Sequence, residues 1–156
     1  MKPIYQLIIQ CPLEDVWGLI SRPSGWPNFS HRWRAFDCLE SNPWQQIQDF
    51  RLALVTDSVL VHPHYFIAVM KRSEQKRTIE MTPLSPGALR GLTIQLNVGE
   101  TVLGTQVQVS SHWSRGRVDF LRRMKSRLLD QVFVEAAFQP LIRDLKLFME
   151  PRPNAS

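Results

Sequence analysis

A chain of 156 residues is the size of one domain and long enough to bury a hydrophobic core of its own. Hydrophobic residues at 44% and charged residues at 21% exclude a disordered polymer. The net charge of +5 directs attention to acidic partners, and the two cysteines, Cys11 and Cys38, form neither a CxxC pair nor a zinc spacing.

The opening MKPIYQLIIQCP has too short an apolar core for a secretory leader and is interrupted by Gln6 and Gln10. No apolar run approaches the roughly 18 residues needed to span a bilayer, so the expectation is a cytoplasmic protein with reduced cysteines. Ile4–Gln10 reads as a strand with Tyr5, Leu7 and Ile9 on one face. Cys11-Pro12 ends it, and Pro12 begins a short helix through Ile20 whose buried side is Val16, Trp17 and Ile20. A turn cluster, Arg22 to Asn28, follows, with a further helical turn expected between Trp26 and Trp33.

Six more strands are expected at Arg34–Leu39, Ile47–Val55, Val59–Lys71, Lys76–Thr82, Leu92–Thr101 and Thr105–Ser114. The last two alternate most cleanly. Leu92, Ile94, Leu96 and Val98 oppose Thr93, Gln95 and Asn97, while Val107 and Val109 oppose Gln106, Gln108 and Ser110. Such alternation gives one wet and one covered face, as in an antiparallel sheet. Gly104 supplies the hairpin between them. Residues 116–149 then read as one long helix, with two assignments of its covered side. At 100° per residue the apolar stripe switches sides next to Pro140, from Val118, Leu121, Leu128, Leu129, Val132 and Ala136 to Phe138, Leu141, Ile142, Leu145, Phe148 and Met149. A single stripe through Phe120, Met124, Leu128, Phe138, Ile142, Leu145 and Met149 instead places Gln131 and Glu135 on the covered side. Residues 1–150 are expected to form a single domain and residues 151–156 a mobile tail.

The candidate chemistry is sparse. His62 and His64 share a strand face, but the more apolar parity of that strand turns both outward, and no metal site is expected. Arg77 shares parity with Ile79 and Met81 and could project inward, where a guanidinium needs an anionic partner. Ser111 and Trp113 continue the parity of Val107 and Val109, with core packing the default role of the indole. Ser111, His112 and Glu135 have the residue types of a hydrolase triad but no nucleophile elbow, and no glycine pattern for a nucleotide cofactor is present. Arg115, Arg117, Arg122, Arg123, Lys125 and Arg127 form a basic stretch that suits an anionic membrane or an acidic partner; nucleic acid is not expected.

The segment Ile9-Gln-Cys-Pro-Leu-Glu-Asp-Val-Trp17 resembles the opening motif of the START-like superfamily, also called SRPBCC, which includes polyketide cyclase/dehydrase-like and lipid-transfer domains. Trp26-Pro-Asn-Phe29, Gly104-Thr105 and Leu145-Lys-Leu-Phe-Met-Glu150 follow in the order of that family's motifs, across nearly the whole chain. The resemblance implies an α+β helix-grip fold, a curved antiparallel sheet of about seven strands wrapped around the long C-terminal helix with two short helices after the first strand. It also implies a cavity for a small hydrophobic, lipid-like or polycyclic ligand, held without a cofactor. The residues expected to meet such a ligand are Phe29 in the second helical segment, Ile94, Leu96, Val107, Val109 and Ser111 on the sheet, and Met124 and Leu128 on the long helix. Arg77 would be the polar anchor. The alternatives are a cyclase or dehydratase enzyme, with its catalytic residues unassigned, and an interaction module working through the basic stretch.

Overall fold

Each hydrophobic alternation read from the sequence becomes a strand of one sheet. The computed structural model describes residues 3–30, 33–41, 47–56, 65–85, 89, 91–114 and 131–150. Strand β1 (Pro3–Ile9) leads into helix α1 (Leu13–Ile20) and a 3-10 turn (Pro23–Asn28). Then come β2 (Trp33–Ser41), β3 (Ile47–Thr56), β4 (Tyr65–Ser73), β5 (Thr78–Ser85), β6 (Leu92–Thr101) and β7 (Gly104–Trp113). The described part of the C-terminal helix is a π turn (Val134–Phe138) continued by α2 (Gln139–Met149).

The seven strands lie in the order β1-β7-β6-β5-β4-β3-β2, antiparallel throughout. Strands β2 to β7 form a simple meander, because each connection joins neighbours. Only β1 is placed out of sequence, on the far side of β7, so α1 and the 3-10 turn carry the chain from one edge of the sheet to the other. Among the described strand starts, one differs from the sequence reading by more than a single residue. Strand β5 begins at Thr78, because Glu74–Arg77 form the β4–β5 turn and Arg77 takes a left-handed backbone with φ of 51°. The described part of strand β4 begins at Tyr65; the start expected at Val59, with His62 and His64, lies outside the described residues.

One face of β5–β7 is buried and the other is partly wet. Ile79, Met81, Ile94, Leu96, Val107 and Val109 are fully buried on the inner face. Gln6, Gln95, Asn97, Gln106 and Gln108 leave the outer face, where their amides bond one another. The tight β6–β7 turn needs its glycine for two reasons. Gly104 has a φ of +139°, and a Cβ there would sit 2.4 Å from the Ile9 carbonyl oxygen.

The C-terminal helix buries Phe133, Val134, Ala137, Phe138, Leu141, Ile142 and Leu145. The first six fall in pairs every four residues and Leu145 continues the spacing, a period that drifts about 40° per repeat on a regular α-helix. The π turn takes up that drift, with Gln139 N–H donating to Val134 O five residues back. Pro140 stands in the first turn of α2, where its missing N–H matters least. Neither reading of the helix holds in full. Gln131 and Glu135 are exposed and bonded to each other at 3.1 Å, and Phe148 is 59% exposed.

The helix is held against the rest of the chain by aromatic rings. Phe138 meets Trp33, Phe133 and Trp26 at centroid distances of 5.5, 5.8 and 6.5 Å, and Trp26 meets Trp33 edge-on at 5.2 Å. Residues 115–130, and with them Met124, Leu128 and the basic stretch, lie outside the described residues, as does the 151–156 tail.

Candidate ligand site on the covered face of the sheet

Cross-strand register decides which of the sequence candidates meet. Ile94 stands opposite Met81 on β5 and Ser111 on β7, and Leu96 stands opposite Ile79 and Val109. Val107 follows opposite Val98 and beside Leu7 of β1. Ile94, Leu96, Val107, Val109 and Ser111 therefore form one contiguous patch, joined by Ile79 and Met81. All are buried except Ser111, which is half-buried.

The other two described candidates lie elsewhere. Phe29, just past the 3-10 turn, packs against Phe148 near the end of α2 with ring centroids 6.0 Å apart. Arg77 sits on the β4–β5 turn with its guanidinium shared between Glu14 of α1 and Glu74, 5.7 Å from the ring centre of Trp17. Its left-handed backbone breaks the parity that would have carried it inward. The cation that shares the inner parity is Arg72, opposite Ile79. Its Nε lies 3.2 Å from Glu74 Oε1 and its Nη1 donates to the Ser21 carbonyl at 3.2 Å. Glu74 thus gathers Arg72, Arg77 and the Trp17 N–H into one clasp between α1 and the turn. No spacing in the sequence announces it, since its members are drawn from residues 14 to 77.

Indole N–H groups provide a second discrimination. Trp17 Nε1 donates to Glu74 Oε2, Trp26 Nε1 to Ile20 O at 3.1 Å and Trp33 Nε1 to Ala137 O at 3.2 Å. Trp113 Nε1 is buried and meets no acceptor. Leaving such a donor unpaired costs about 1–3 kcal/mol. Ser110 Oγ, on the outer parity opposite Gln95, is likewise buried without a partner.

A hydrolase triad is not assembled. Ser111 and His112 are consecutive in β7, so their side chains leave opposite faces, and the Glu135 carboxylate is exposed and bonded to Gln131. Among the described residues no group of three or more His, Cys, Asp or Glu side chains could hold a metal. An open groove of about 730 Å³ lies along the β4–β5 hairpin and the outer face, lined by Lys71, Lys76, Thr78, Glu80 and Gln95 among others. The residues that line it are charged or polar by type. No described helix is long and apolar enough to cross a membrane.

Neither a protein-family model nor a curated protein matches the sequence. Solved structures do match. The di-domain ARO/CYC protein BexL, from the BE-7585A biosynthetic pathway, superposes with a TM-score of 0.65 at 14% identity, over 96% of this chain and 50% of that one. The major latex-like protein 151 of Panax ginseng gives 0.62 at 13% identity over 94% and 95%, and a protein of Nitrosospira multiformis gives 0.61 at 14% identity over 94% of both chains. The fold is the helix grip. The chain spans about half the length of the di-domain protein and nearly all of the other two.

Proposed function

We propose that this helix-grip chain binds a small, largely apolar molecule, polycyclic or lipid-like, between the covered face of its sheet and its C-terminal segment. The observation that carries the reading is the unbroken apolar patch of Ile79, Met81, Ile94, Leu96, Val107 and Val109 across three adjacent strands, with both nearby arginines already committed to carboxylates. Apolar surface gathered opposite a helix is the ordinary lining of a small-molecule site. In this reading Met124 and Leu128 approach from the helix, and the neighbouring Ser111 hydroxyl adds a polar contact.

A cyclase-type enzyme is the second reading, favoured by the likeness to the ARO/CYC protein BexL. Proton transfer would require a titratable group beside the ligand. The described part of the patch supplies none, which ranks binding first. The basic stretch from Arg115 to Arg127 adds a contact to an anionic surface or partner, and salt would weaken that contact steeply.

Native mass spectrometry of the protein incubated with lipid and polycyclic aromatic libraries tests the binding reading. One retained molecule per chain is expected. Failure to retain any member of either library overturns it.

A further inference from the structure

Trp113 ends β7 opposite Leu92, the first residue of β6, at the end of the covered face remote from the Gly104 turn. It continues the inward parity of Val107, Val109 and Ser111, and its ring packs against the core cluster. Of the indoles described, Trp17, Trp26 and Trp33 each donate to a protein acceptor, whereas Trp113 Nε1 is buried and does not. Indole is a donor only, so the group that satisfies it is an acceptor. The charge of that acceptor follows from its surroundings. The described cation on this face, Arg72, lies three strands away on β4, roughly 14 Å at ordinary strand spacing, and is paired with Glu74. A carboxylate taken out of water needs more than one neutral N–H, whereas a carbonyl oxygen does not.

Resting on the binding function proposed above, we infer that the ligand carries a neutral carbonyl oxygen, as an aryl ketone or quinone does, which accepts the Trp113 N–H while its apolar body lies over Ile94 and Leu96. The indole thereby fixes the orientation of the ligand along the sheet.

Two probes of nearly equal shape isolate the bond: 2-acetylnaphthalene, which has the carbonyl, and 2-isopropenylnaphthalene, in which a CH2 group replaces the oxygen. Calorimetry on the full chain is expected to show the ketone bound about fivefold more tightly, the worth of one net hydrogen bond. Trp113→Phe keeps a ring but removes the donor, and is expected to equalise the two probes while changing the affinity for the hydrocarbon less than about twofold. The wild-type chain supplies a readout that needs no variant. In a 1H–15N spectrum, with the indole signals assigned through their spatial contacts, the Trp113 N–H moves on addition of the ketone and the Trp26 and Trp33 signals stay in place. Equal affinity of the wild type for the two probes, a preference that survives Trp113→Phe, or an unmoved Trp113 signal at saturating ketone overturns the inference and leaves hydrophobic binding standing. Failure of both probes to bind removes the inference together with the binding function for aromatic ligands.

Discussion

Glu150 fastens the end of α2 to the end of β1. Its Oε1 accepts the Gln10 backbone N–H at 2.9 Å and the Lys146 ammonium at 3.0 Å, and Lys146 Nζ also donates to the Ile8 carbonyl at 2.7 Å. The Gln10 N–H is the main influence that holds the Glu150 carboxyl below the ordinary carboxylate range; Lys146 adds to it and partial burial opposes it. A carboxyl depressed in the folded state stabilises fully above its unfolded pKa, and that stabilisation disappears as pH falls through the folded value. Glu150→Gln should therefore lose about 1 kcal/mol near neutral pH, as a charge-assisted bond at a partly exposed site would. The gap from wild type should be constant above about pH 5 and close in more acid solution, once the carboxyl is protonated in both states. Urea unfolding of the two proteins across that range checks it, and a difference that persists unchanged at pH 2.5 contradicts the assignment. The residue itself was visible in the sequence as the terminal Glu of a helix. Its partner Gln10 was not, because 140 residues separate them.

At the scale of elements, the same division recurs. The β6–β7 hairpin was legible to within one residue because its alternation is clean, and alternation alone then defines a strand. The C-terminal helix was legible as a helix, but its covered side was not. Counting 100° per residue splits the stripe into two, whereas the chain inserts a π turn and keeps Phe133, Phe138, Ile142 and Leu145 together. Removing one member of the aromatic cluster that seats this helix measures the gain. Phe138→Ala should lower stability by about 3–5 kcal/mol, with hydrogen exchange accelerating in α2 and in the β2 backbone beside Trp33. The clasp on α1 has a different physical character. Glu74 is about half exposed, so Glu74→Gln should cost only about 1 kcal/mol in dilute buffer, and the deficit should shrink in 1 M salt because exposed charges are screened. A deficit that is unchanged by salt would mean that the Trp17 N–H, rather than the two arginines, is what Glu74 serves.

For the whole molecule, the fold was readable because strand order follows from short connections, and only the placement of β1 beside β7 required the coordinates. The candidate site was half readable. Ile94, Leu96, Val107 and Val109 follow from parity, while the Arg72 and Arg77 exchange depends on one left-handed residue in a turn. Ligand binding to the covered face should stabilise the molecule as a unit, because only the folded sheet and helix present that face. At about 100 times the dissociation constant the gain is roughly 2.7 kcal/mol. For a domain of this size that raises the unfolding midpoint by about 5–10 °C. Salt separates the two modes of association open to the chain. An apolar ligand held over Ile94 and Leu96 gains nothing from long-range charge, so the shift produced by saturating 2-acetylnaphthalene should be the same at 50 mM and 500 mM sodium chloride. An association that runs through Arg115, Arg117, Arg122, Arg123, Lys125 and Arg127 is screened over that range and loses most of its effect. A thermal shift that collapses in high salt would move the site from the covered face of the sheet to the basic stretch.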